Sequence, residues 1–222
     1  MTHTPPAAHR DDRPETTAQR TPAAHAATAA FVAGTAFLAL LALIHVIRPD
    51  VSTARQTTSE YAAGGLGWLM VLAFLLSAAG YGALAVAVMA RRPRRLARAG
   101  AIILLLAAGG TVVGAVFVTD PAGTPPDELS TSGTLHGVGA GLALMLLPVA
   151  ALLIGPGLAR DGGAPTTGGR VLRWTAGLPL AALIVFLAAR TVPVGWSERV
   201  LVVAYAAWQI IVARVLTHRT VR

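Results

Sequence analysis

The chain has 222 residues, 55% of them hydrophobic and 13% charged, with a mean hydropathy of +0.63 and a formal net charge of +8. So few charges cannot cover the apolar surface of a water-soluble domain of this size, and that class is excluded. The lack of cysteine excludes disulfides, thiolate metal sites and cysteine nucleophiles.

In chain order, residues 1–27 are polar and rich in Pro, Thr, Ala and charge, without periodicity, and read as a disordered cytoplasmic tail. The first apolar run starts late and is long enough to stay in the bilayer, unlike a cleaved leader. Six runs approach the ~20 residues that cross a membrane as helix. They cover Thr28 to Ile47, Leu66 to Ala90, Ala99 to Val118, Leu135 to Ile154, Val171 to Ala189 and Val200 to Leu216. None alternates as the strands of a membrane barrel would. The expectation is an all-α polytopic protein with six transmembrane helices in one bundle over residues 28–217, and a short cytoplasmic tail at 218–222.

Every basic residue apart from histidine is arginine, and the arginines are unevenly placed. Fourteen fall on the two tails and the second and fourth loops, and four on the first, third and fifth loops. By the positive-inside rule both termini are cytoplasmic, in a cell membrane. Acidic residues divide the other way, six outside and four inside. The basic balance is thereby explained without nucleic acid. The run Arg91, Arg92, Arg94, Arg95 and Arg98 reads most simply as a positive-inside anchor, the alternative being a specific anionic-lipid site.

The spans carry almost no ionisable residue at mid-depth, which argues against a pump or ion-coupled transporter. Ser77, Tyr81, Thr111 and Gln209 suit hydrogen bonds to backbone or neighbouring helices. Gly110/Gly114 and Gly137/Gly141 have the spacing of close helix packing inside the bundle. Residues with chemistry gather at the outer ends. His45 and Arg48 share a helix face, Ser59, Glu60 and Tyr61 precede a glycine-rich turn, Asp120 closes the third span, His136 opens the fourth, and Arg190 follows the fifth. Should these ends converge, Arg48, Ser59, Glu60, Tyr61, Asp120, His136 and Arg190 make one polar cap. The alternative is a set of separate helix caps and interfacial anchors, with Trp68 and Trp196 in the aromatic belt.

The stretch RPDVSTARQTTSEYAAGGLGWLM after the first span, followed by DPAG and LHGVGAG, resembles the bacterial and archaeal "domain of unknown function 998" family. Arg48-Pro49, Ser59-Glu60-Tyr61, Asp120-Pro121 and His136 carry the likeness. It implies a small integral membrane protein of about six spans, and the family has no agreed biochemical activity to carry over.

Four functions fit the residues. One is non-catalytic binding of a lipid headgroup or membrane partner, with Arg48 and Arg190 on a phosphate or carboxylate and Glu60 and His136 fixing orientation. Another is a membrane hydrolase or transferase acting on a headgroup, with Glu60 or His136 as general base and Asp120 in support. A third is haem between His45 and His136, and the last a small transporter. No HExxH or HxxxH spacing occurs, so the metal signal is weak, and two lone histidines are poor evidence for haem; no metal and no cofactor is expected. Binding is the reading the residues favour.

Overall fold

The computed structural model describes residues 21–161, 167–189 and 191–218, and these are helical apart from their connections. The helices are α1 (Pro22–Ile47), α2 (Gly67–Met89), α3 (Arg95–Val116), α4 (Thr131–Asp161), α5 (Thr167–Thr175), α6 (Leu178–Ala188) and α7 (Val194–His218), with a 3₁₀ turn at Thr58–Ala62. With α5 and α6 taken together, six of these segments are long and apolar enough to cross a membrane.

Local chemistry sets most of the boundaries. Pro22 opens α1, where its missing N–H costs nothing, so the helix begins six residues before the expected Thr28. Residues 22–27 therefore belong to α1 rather than to a disordered tail; residues 1–20 lie outside the described residues, as do 219–222 of the short carboxyl tail. Pro49 ends α1 by pushing Arg48 out of helical geometry (φ −121°, ψ 62°). The fifth span is two helices where one was expected. Pro179 offers no N–H to the Thr175 carbonyl, and the chain breaks at Ala176-Gly177 between α5 and α6.

Pro148 sits inside α4 without breaking it. It leaves the Leu144 carbonyl without its helical donor, and the Tyr205 hydroxyl of α7 donates to that oxygen at 2.8 Å. Gln209 makes a similar cross-link, its Nε2 donating to the Ala30 carbonyl at 2.8 Å. Its side chain occupies space that the missing Cβ atoms of Gly34 and Gly80 leave open. Thr111 instead bonds back to Ala107 within its own helix.

Neighbours in the chain are neighbours in space, and α7 closes the ring against α1. The tightest seam joins α3 to α4. A Cβ on Gly110 would lie 2.6 Å from the Gly139 carbonyl, and one on Gly139 would meet Val113 and Gly110. Of the two expected glycine pairs only Gly110/Gly114 faces this seam. Gly137 and Gly141 have open space above them, and Gly139 and Ala140 take their place. The reason is helical phase, since a residue two positions on lies about 160° away from Gly137 around α4.

Leu104, Leu147, Ile154, Leu201 and Trp208 anchor the main core. A smaller core of Phe37, Leu41, Ile44, Tyr61 and Met70 sits under the 48–66 loop. Val86, Leu106, Val138, Ile184 and Val200 face outward, as suits lipid contact. Trp68 and Trp196 are exposed at the loop end of the bundle, and Trp174 at the arginine-rich end.

Candidate functional site

The 48–66 loop folds down as a lid on the first turn of α7. Gly195 makes this approach possible, because any Cβ there would overlap the carbonyls of Thr53, Ala54 and Gln56, and its N–H bonds the Ala54 carbonyl at 2.9 Å. Two adjacent charged residues of α7 then fasten the lid. Glu198 accepts the Thr58 N–H at 2.6 Å and the Thr58 hydroxyl at 2.7 Å. Arg199 donates from Nε to His45 Nε2 at 2.7 Å, and from Nη1 to the Gln56 and Gly195 carbonyls at 2.8 and 2.9 Å. Its guanidinium carbon also lies 5.6 Å from the Tyr61 ring centroid. Arg199 Nη2 and the Tyr61 hydroxyl are buried with no hydrogen-bond partner among the described residues.

The loop is braced internally as well. Arg48 donates to both carboxylate oxygens of Asp50 through Nε and Nη2, at 2.8 to 3.1 Å, and through Nη1 to the Ala63 carbonyl at 3.1 Å. The hydrogen bonds from Arg48 hold the Asp50 carboxyl below its ordinary value. Glu60 accepts the Thr57 N–H at 2.8 Å on one oxygen and Gln56 Nε2 at 3.2 Å on the other. Ser59 shares a 3.0 Å hydrogen bond with the Thr57 hydroxyl.

Beneath the lid lies a cavity of about 90 Å³. Ser59, His136 and Glu198 line its loop end, Ser77 and Thr111 lie deeper, and Phe37, Phe74, Tyr81 and Tyr205 supply aromatic walls. His136 is 6% exposed. Its Nδ1 faces the Gly114 and Phe117 carbonyls at 2.8 and 2.9 Å, so Nδ1 carries a proton, and in the neutral tautomer that this selects, Nε2 presents the lone pair. That Nε2 has no partner among the described residues.

The expected polar cap is therefore partly assembled. Arg48, Ser59, Glu60 and Tyr61 share the lid, and His136 meets Ser59 across the cavity. Asp120 stands apart: it accepts the Ser130 N–H at 2.8 Å, while Ser130 Oγ accepts the Gly133 N–H at 2.9 Å and caps α4. Arg190 lies outside the described residues. The proposed phosphate role of Arg48 meets a guanidinium already engaged by Asp50 and backbone. His45 has both ring nitrogens engaged, by the Leu41 carbonyl at 2.6 Å and by Arg199, which leaves neither for a haem iron.

Glu198 and Arg199 are the residues that sequence reasoning passed over. With the last span expected from Val200 they counted as loop charges, whereas α7 starts at Val194 and draws both into its first turns, with Arg199 buried and Glu198 half-buried. The signal was present: Pro193, followed closely by Ser197-Glu198-Arg199 and an apolar run, has the form of a helix start.

A family model described as "Protein of unknown function (DUF998)" matches residues 19–215. The chain belongs to that family. Comparison with curated proteins and with solved structures gave no match.

Proposed function

We propose that this DUF998 member is a non-catalytic binding component of the cell membrane, with both termini in the cytoplasm and the lid on the opposite face. It takes part of its ligand into the cavity under the lid. The observation that carries this reading is a nearly buried histidine whose Nε2 lone pair has no partner and whose ring lines a cavity with a carboxylate and hydroxyls. That nitrogen opens onto the cavity, so an occupant that donates a hydrogen bond there gives it a partner that the described residues do not.

The lid supports binding rather than turnover. Glu60, weighed as a general base, does not line the cavity and accepts hydrogen bonds from Thr57 and Gln56 within the lid. The Ser59 hydroxyl is bonded to Thr57 and not to His136, so this serine is not paired with a base as an activated nucleophile is. His136 remains the atom on which a headgroup hydrolase reading would rest.

Native mass spectrometry of the detergent-purified full chain tests the proposal. Wild type and Arg48→Ala should both carry a retained mass that His136→Ala and Ser77→Leu lose, the second by filling the cavity. A bare wild type, or a mass kept equally by Ser77→Leu, overturns it.

A further inference from the structure

The chemistry of the cavity narrows its ligand, and the narrowing rests on the binding reading above. Glu198 is a half-buried carboxylate that lines the cavity, with no guanidinium in ion-pair contact among the described residues. Its neighbour Arg199 directs its hydrogen bonds to a neutral imidazole and to carbonyls, none to a carboxylate. A second carboxylate, Glu60, is buried in the same lid and bonded only to neutral donors. The Arg48–Asp50 pair cancels itself. The lid and the first turns of α7 thus set two carboxylates, Glu60 buried and Glu198 half-buried, against one buried guanidinium, Arg199, and desolvated charge without a full complement of counterions is costly.

The other lining groups agree in sign. Four aromatic rings present π faces or edges to the cavity, and the free lone pair of His136 can only accept. No lysine or arginine lines it. Aromatic walls with one carboxylate favour a cation, and the imidazole lone pair asks that the cation carry an N–H. A volume of about 90 Å³ has room for a headgroup of a few heavy atoms.

We propose that this cavity binds a protonated amine, its ammonium N–H groups donating to His136 Nε2 and Glu198. The amine is either the headgroup of an aminophospholipid lying beside the bundle or a small soluble amine. The phosphate or carboxylate expected from sequence is the wrong sign for these walls.

The test is calorimetric titration of the full chain in amine-free detergent with ethanolamine, tetramethylammonium and inorganic phosphate. It is paired with native mass spectrometry from phosphatidylcholine nanodiscs with and without phosphatidylethanolamine. Ethanolamine should bind saturably, should not be displaced by phosphate, and should exceed tetramethylammonium, which has no N–H. Binding should weaken roughly tenfold or more in Glu198→Gln, as expected for losing one charge-assisted contact, and also in Ser77→Leu. Should Glu198→Gln fail to fold, Ser77→Leu and the wild-type preference for ammonium over phosphate still decide the matter. Retained phosphatidylethanolamine identifies the lipid source, and ethanolamine binding without lipid retention identifies the soluble one; both support the proposal. Ethanolamine binding unchanged in Ser77→Leu, or competition by phosphate, overturns it. A non-amine mass held by wild type and lost in Ser77→Leu overturns the amine while leaving a binding cavity. No retained mass and no saturable binding overturns both.

Discussion

Arg199 Nε donates to His45 Nε2 across 154 residues of sequence at 2.7 Å, joining the first turns of α7 to the last turn of α1. The ring must be neutral to accept, and the Leu41 carbonyl holds its proton on Nδ1. One guanidinium thereby ties three things together: the end of α1, the loop at Gln56, and the start of α7.

Arg199→Lys is therefore not conservative. An ammonium reaches one of these divergent acceptors well and leaves the others short, at a cost of roughly 2–4 kcal/mol. Thermal unfolding in detergent should show the loss, and hydrogen exchange should speed up across residues 52–62 while the α3–α4 seam stays protected. Unchanged exchange in that loop would show that Arg199 does not fasten the lid.

Tyr205 and Pro148 are coupled through the Leu144 carbonyl. Tyr205→Phe should cost about 0.6–1.7 kcal/mol, the range for hydrogen bonds between membrane helices. In a Pro148→Ala background residue 148 regains an N–H that can bond Leu144, so the same change should cost clearly less. A double-mutant cycle of denaturation free energies measures the difference, and equal costs in the two backgrounds would refute the coupling.

The glycines of the α3–α4 seam separate from those of the lipid-facing side. Gly110→Ala drives a methyl group to 2.6 Å from the Gly139 carbonyl, a backbone atom that cannot swing away, and should cost about 1–3 kcal/mol. Gly137→Ala meets nothing within 4 Å and should be neutral or stabilising by up to about 1 kcal/mol through helix propensity. If the two variants melted together, the phase assigned to α4 would be wrong.

Much of the fold was legible because the bilayer imposes a local rule. Backbone polar groups in the bilayer are satisfied almost entirely within their own helix, so apolar run length alone marks a span. The interruption of the fifth span was equally local, since Pro179 and Gly177 stand in plain view, yet hydropathy averaging smooths over it. Phase within a span was harder. The spans are apolar nearly all round, so Gly137 and Gly139 look alike until a neighbour occupies one side of α4.

The polar cap divides along the same line. Lid contacts of short range, such as Glu60 with Thr57, follow from residues three apart. Asp120 and His136 looked equivalent in sequence, yet one supports a helix cap and the other lines the cavity. Sequence by itself determined the class, the six spans and the charge asymmetry, because length, hydropathy and arginine placement act on each segment separately. Which arginine is engaged by backbone, which carboxylate is left without a cation, and which histidine keeps a free nitrogen were decided only by closure of α7 against α1 and the lid, because desolvation and pairing depend on neighbours that the chain order does not name.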